Sequence, residues 1–323
     1  MFQWYKSSSE CWVYLADVSG HGEELDAALE QSRWFTRGWT LQELLAPHHV
    51  QLFSDTWNHI GDLKNMTLAY KVSKITGVPE QFLWRSATAD RRLLATSISM
   101  RMSWAARRQT SIAEDMAYCL IGLFDVKMPL LYGEGGERAF TRLQEEIMKT
   151  STDQTIFVWG YGMPLKAEQA GLPFHRLLAP CPKYFAHGAK LEKYSFSRRS
   201  DFNHWKFTNR GLLIPLPFIP QRSVDKSDEF YPVSLTQYIA LLECQEIRYP
   251  NPFRKEKHRI GLHVEIQSLD DIDADGNLKH DIVISKLQTS RPFLVPEEVF
   301  DRPADPISTC GDTTFKRASI GTA

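Results

Sequence analysis

The chain has 323 residues, enough for two globular units of roughly 100–200 residues each. Its 43% hydrophobic and 24% charged residues are ordinary for a folded protein and exclude bulk disorder. Lys plus Arg (38) nearly balances Asp plus Glu (39), so the basic excess of a nucleic-acid binder is missing, and no nucleic-acid partner is expected. The cysteines, Cys11, Cys119, Cys181, Cys244 and Cys310, are scattered and never spaced as C-x-x-C. That pattern argues against a disulfide framework or a zinc site, and for a reduced protein with a cytoplasmic location. The most apolar run, Gly211 to Pro220, carries Pro215, Pro217 and Pro220, so no membrane span is expected. The opening MFQWYKSSSECW lacks the basic-then-apolar order of a secretory signal.

Met1 to Lys6 has near-helical apolar spacing and breaks at Ser7-Ser8-Ser9, and Cys11 to Ala16 reads as a short apolar strand. Glu23 to Gln31 is a short helix. Gly38 opens a helix over Trp39 to Leu45 that Pro47 ends, and Val50 to Phe53 is a second strand. Leu63 to Thr76 has helical periodicity and stops at Gly77-Val78-Pro79. Ser97 to Ala106 is another helix. Ser111 and Glu114 have capping-box spacing and predict a helix running to about Phe124, with Cys119 as a small buried hydrophobe. After a turn at Gly133 to Gly136, Glu137 to Lys149 places Phe140, Leu143 and Ile147 on one face of an amphipathic helix.

Beyond Thr155 the character changes. Thr155 to Trp159, Trp205 to Ile214, Gln237 to Glu243, Arg259 to Gln267 and Lys279 to Ser285 read as strands separated by Pro, Gly, Asp and Asn. The expected partition is 1–55, 56–155, 156–302 and a disordered tail at 303–323. The third of these is expected to be a mainly antiparallel β domain.

Two blocks carry the most specific signal. SRWFTRGWTLQELLAP (Ser32 to Pro47) packs two tryptophans, two arginines and a Gln-Glu pair into a short span. Trp34, Trp39, Leu41 and Leu44 would anchor it, with Arg33, Arg37 and Glu43 at the rim. The second block, Arg101 to Lys149, ends in LLYGEG and the amphipathic helix. Together, and with the opening MFQWYKSSSECWVYLADV, they resemble the fungal heterokaryon-incompatibility (HET) domain and the region following it, over about residues 1–160. FTNRGLLIPLPF resembles the β-rich extension found behind that domain.

The resemblance implies an α/β fold: a partial HET domain akin to the Toll/interleukin-receptor (TIR) fold, followed by helices and the β-rich extension. It implies a role in vegetative incompatibility, a fungal innate-immunity response in which mismatched alleles trigger programmed cell death. Self-association or other incompatibility proteins are the partners it implies. Some TIR domains hydrolyse NAD through a glutamate in a W-C-x-x-E-L helix. Trp39-Thr40-Leu41-Gln42-Glu43-Leu44 is similar, which makes Glu43 the candidate catalytic residue, NAD the candidate substrate, and no resident cofactor or metal necessary. A carboxylate beside the ribose would stabilise charge developing as nicotinamide leaves. The chain departs from the family pattern in lacking the opening strand, the S-x-x-W-G-like loop and the D-x-x-C-I segment. In a doubly wound sheet those parts help build the ligand pocket. Their absence therefore argues against turnover, and it predicts an unpaired sheet edge. Glu43 thus carries three readings, rim carboxylate, catalytic group or substrate contact without turnover, and the chain three: interaction module, NAD hydrolase centred on Glu43, or an inactive fragment of one.

Other constellations read as structural. Asp271, Asp273, Asp275 and Gly276 mimic an EF-hand start, but Ile282 stands where its bidentate glutamate belongs. Gly133 to Gly136 lacks the Gly-Lys-Ser/Thr of a phosphate loop. His48 and His49 would point to opposite faces. Arg101 and Asp115 are candidates for an ion pair.

Overall fold

A computed structural model describes residues 1–84, 93–163 and 176–194, and then the segments 206–208, 211–216, 218–220, 222–224, 230–232, 237–251, 254–266, 282–286, 292–294 and 316–320. They fall into two units: Met1–Ser151 with Pro180–Ala189, and Thr152–Ala179 with Lys190–Ala323. The EF-hand-like run at 271–278 lies outside the described residues.

The first unit opens with α1 (Phe2–Ser7), β1 (Cys11–Tyr14) and α2 (Glu23–Gln31). A single 3-10 turn, Arg33–Thr36, leads to α3 (Thr40–Leu45), β2 (Val50–Phe53) and β3 (His59–Asp62). β1 runs parallel to β2 in the register Cys11↔Val50 to Tyr14↔Phe53, and β3 closes the other side antiparallel, giving the order β1-β2-β3. Burial alternates along the strands as a half-covered sheet requires: Val13, Val50 and Leu52 are buried, whereas Trp12 and Tyr14 are exposed.

α4 (Met66–Thr76) begins where the Asn65 side chain accepts the Thr67 and Leu68 N–H groups. It ends at Gly77, whose φ of +72° suits glycine in the left-handed C-terminal position. α5 (Glu80–Leu83) and α6 (Ile98–Ser103) follow, the latter capped by Ser97 Oγ on Met100 N–H. The continuous helix expected from Ser111 to Phe124 is instead two short ones, α7 (Asp115–Tyr118) and α8 (Ile121–Phe124). The capping box does not form, because Glu114 Oε1 accepts the Gly133 and Gly135 N–H groups at 2.8 and 2.9 Å. The glutamate is spent on a long-range turn rather than on its own helix. α9 (Gly136–Thr150) matches its periodicity and buries Phe140, Leu143, Ile147 and Met148. Each such side chain stabilises the fold by about 1.5–3 kcal/mol.

In the second unit the expected strand at Thr155 to Trp159 is a 3-10 turn, Gln154–Phe157. Asp153 Oδ1 accepts the Thr155 N–H at 2.9 Å, and this local cap overrides the apolar run's strand preference. The strands are β4 (Leu191–Lys193), β5 (Lys206–Thr208), β6 (Gly211–Leu216), β7 (Phe218–Pro220), β8 (Arg222–Val224), β9 (Phe230–Pro232), β10 (Gln237–Asn251), β11 (Arg254–Ile266), β12 (Ile282–Lys286), β13 (Phe293–Leu294) and β14 (Lys316–Ile320). Their main sheet has the order β4-β10-β11-β12-β14-β6-β5, with β13 on β11 and β7 on β10, while β8 and β9 form a separate hairpin. The long β10–β11 pair is antiparallel, and β12–β14 is parallel. β14 lies within the stretch expected from sequence to be a disordered tail, and its backbone pairs with β12 and β6.

Candidate functional site

Five of the six residues in Trp39 to Leu44 fasten α3 in place. Leu41 and Leu44 are buried. The Trp39 indole N–H donates to Asp115 Oδ2 at 3.0 Å, and Gln42 Nε2 donates to the Cys119 carbonyl at 2.6 Å. Thr40 Oγ1 donates to the Trp34 carbonyl at 2.6 Å. Before the helix, Gly38 N–H donates to the Gln109 carbonyl at 2.8 Å, and Gln109 N–H to the Thr36 carbonyl at 2.7 Å. A Cβ on Gly38 would stand 2.5 Å from Thr110 Cγ2 and 3.2 Å from Cys119 Sγ, so only glycine permits this approach. The two sequence blocks thus meet along one junction.

Arg108 is the keystone of that junction, although in the sequence it reads only as half of the basic pair Arg107-Arg108, a solvated surface charge. It is buried. Its Nη1 donates to the Arg37 carbonyl at 2.8 Å and to Thr40 Oγ1 at 2.9 Å, and its Nε donates to the Trp104 carbonyl at 3.2 Å. Nη2 is buried without a hydrogen-bond partner. Burial pulls its pKa down to about 10, with the Cys119 and Glu43 environments opposing that shift. Asp115 receives Trp39 and also the Tyr132 hydroxyl at 3.0 Å, while Arg101 donates to the Leu123 carbonyl and lies 4.4 Å over the Phe124 ring. The ion pair expected between Arg101 and Asp115 is replaced by these contacts.

Glu43 is the sixth residue, and its carboxylate makes none of the junction's hydrogen bonds described above. Half-buried, it faces Tyr5 of α1 and Cys11 of β1. Burial pushes its carboxyl above the usual range, opposed by the neighbouring Tyr5 and Trp34 side chains and by the charges of Arg37 and Arg108. Burial, reinforced by Glu43, raises the Tyr5 phenol to about 12 and the Cys11 thiol to about 11. Tyr5 and Cys11 are site residues that the sequence did not reveal, because they lie on separate elements far upstream. Cys11 begins β1, so this corner lies at the amino end of the parallel pair. Ligands of open α/β sheets gather beyond the carboxyl ends.

Cys119 is buried, and burial raises its thiol to about 12, so it acts as a small hydrophobe. His48 is exposed and His49 half-buried, the latter with Nε2 3.0 Å from Lys64 Nζ. Among the described residues there is no cluster of His, Cys, Asp or Glu able to hold a metal ion, and no helix long and apolar enough to cross a membrane.

A family model described as a domain of unknown function (DUF8212) matches residues 138–254. Vegetative incompatibility protein HET-E-1 of Podospora anserina is 44% identical over 155 residues. That stretch is 46% of this chain and 11% of HET-E-1, so the chain spans a small fraction of its relative's length. No solved structure matches the chain. The chain is similar to a fungal incompatibility protein over nearly half its length.

Proposed function

We propose that this chain is a recognition and signalling module in vegetative incompatibility, working in the cytoplasm through protein contacts with itself or with other incompatibility proteins. The 44% identity to a vegetative incompatibility protein carries the reading. The junction around Arg108 supports it, since it makes the two family-like blocks one mechanical unit. We read residues 1–55 as part of a TIR-like domain, on the support of a parallel β1–β2 pair with α3 leading directly into β2. The test is inducible expression in a filamentous fungus, with cell death scored by dye uptake. Death above the vector control is expected, and it should disappear in Trp39→Ala. Full viability with the protein abundant would contradict the reading.

A second reading, NAD cleavage at Glu43, is favoured by the carboxyl's shelter among the Tyr5 hydroxyl, Trp34 indole and two arginines. The ionised carboxylate would stabilise the ribosyl cation as the C–N bond breaks, its electron pair leaving with nicotinamide and water adding to the sugar. Because ionisation is needed, the rate would rise with pH through the raised Glu43 pKa. Nicotinamide release that vanishes in Glu43→Ala would establish this chemistry. The corner's place at the amino end of β1 weighs toward the interaction reading.

A further inference from the structure

The far end of the β10–β11 hairpin stands clear of the rest of its sheet. β4 pairs with residues 244–246, β7 with residues 238–240, β13 with Ile260 and Gly261, and β12 with residues 264–266. Residues 247–251 and 254–257 pair with each other, and among the described residues no further strand flanks them. The two strands follow one another in the chain, so this projecting ribbon is a property of the hairpin itself.

The ribbon is also where positive charge collects. From Arg248 to Arg259 the chain places five Lys or Arg residues (Arg248, Arg254, Lys255, Lys257 and Arg259) and a single carboxylate, Glu256, although its net charge is −1. The Arg254 side chain is 71% exposed, Arg248 47% and Lys255 41%, and Lys257 is exposed too. Lys255, Lys257 and Arg259 alternate along β11, so they share one face at a spacing of about 7 Å. Arg259 is fixed on Tyr194, donating to its hydroxyl at 3.1 Å with the guanidinium 5.0 Å over the ring. Three acids border the cations: Glu246 meets Arg248, Glu256 meets Arg254 at 3.0 Å, and Glu192 meets Lys255 at 3.7 Å. None of them pairs with Lys257. Beside these cations Tyr249 stands 63% exposed.

We propose that this ribbon seats the protein reversibly on an anionic lipid surface, with Arg254, Lys255 and Lys257 against the headgroups and the Tyr249 ring at headgroup depth. The proposal goes beyond the incompatibility reading and does not rest on it. A bilayer presents a plane, which a projecting tip can reach without a groove. Each Lys or Arg held near an anionic leaflet strengthens binding about fivefold. Tyrosine suits that depth, because its ring is apolar while its hydroxyl stays wet. A basic cluster with one aromatic gives a reversible contact rather than permanent insertion. A nucleic-acid duplex fits less well. It would lie along the ribbon, meet Glu192 and Glu246 behind the tip, and find no basic excess elsewhere in the chain to hold its phosphates.

The test is flotation of the 323-residue chain with vesicles of phosphatidylcholine, alone or mixed with phosphatidylserine. Binding to the mixed vesicles only is expected, and it should weaken as salt rises. Lys255→Gln/Lys257→Gln should lower the partition coefficient about thirtyfold with unchanged far-UV circular dichroism. Lys127→Gln/Lys183→Gln makes the same charge change at exposed lysines of the first unit, and should bind as wild type does. Tyr249→Ala should weaken binding severalfold at low and high salt alike. A wild-type chain that ignores the mixed vesicles at low salt, or an equal loss in both lysine pairs, would overturn the proposal. So would binding to a DNA duplex under conditions where the vesicles are not bound. None of these outcomes is read from cell death, so they leave the incompatibility role to its own test.

Discussion

The α3 junction and the aromatic face of the β1–β2–β3 sheet both use tryptophan, to opposite ends. At the junction, Trp39, Gln42 and Arg108 are turned inward and spend their polar atoms on Asp115 and on the Cys119, Arg37 and Trp104 carbonyls. On the sheet face, Trp12, Tyr14 and Trp57 are exposed, with Tyr14 stacked on Trp57 and Trp12 against Phe53. Buried polar groups are costly unless paired, so the first region is a folding device. Exposed aromatic clusters gain nothing comparable within one chain, so the second contributes little to folding. Substitutions should therefore divide cleanly, costing stability in the first region and little in the second.

The largest effect should come from Arg108→Ala. Three acceptors lose their donor and a cavity opens, which should cost about 3–5 kcal/mol in urea unfolding. Gly38→Ala should follow at about 1–3 kcal/mol, because its Cβ would meet Thr110 and Cys119 where neither the bridge at Gln109 nor α3 can retreat. On the sheet face, Trp57→Gly relieves the positive φ of +62° and removes an exposed stack on Tyr14. These terms are each about 1 kcal/mol and opposed, so thermal stability should stay near wild type.

The smallest effect, Glu43→Gln, depends on pH. Burial raises the folded-state pKa of this carboxyl, so the stability it contributes is present below its unfolded pKa and is lost as pH rises through the folded value. The glutamine variant should therefore melt at or above wild type at neutral pH, with the gap closing under acid. A variant that melts well below wild type at neutral pH would show that the carboxylate is needed by the fold.

What was legible in the sequence followed local physics. The bounds of α2, β2 and α9 rest on apolar period and on turn or breaker residues beside them. Wherever a distant partner decides, local cues misled: Glu114 looks like a capping-box residue until Gly133 and Gly135 claim it. Arg108 looks like one half of a basic surface pair until α3 buries it. Its role is written in the Arg37 and Trp104 carbonyls, which no side-chain pattern announces. Glu43 was visible through the Trp39 to Leu44 resemblance, but its Tyr5 and Cys11 neighbours come from α1 and β1 and exist only once the chain is folded. β3 was invisible because His-Ile-Gly-Asp carries no alternation.

The most direct measurement is the cell-death assay run in parallel on Arg108→Ala and Glu43→Gln, at matched protein levels. A recognition module held by the junction predicts that the first loses killing while Glu43→Gln retains it. Killing that survives Arg108→Ala but disappears with Glu43→Gln would contradict that account and move the function to the carboxylate.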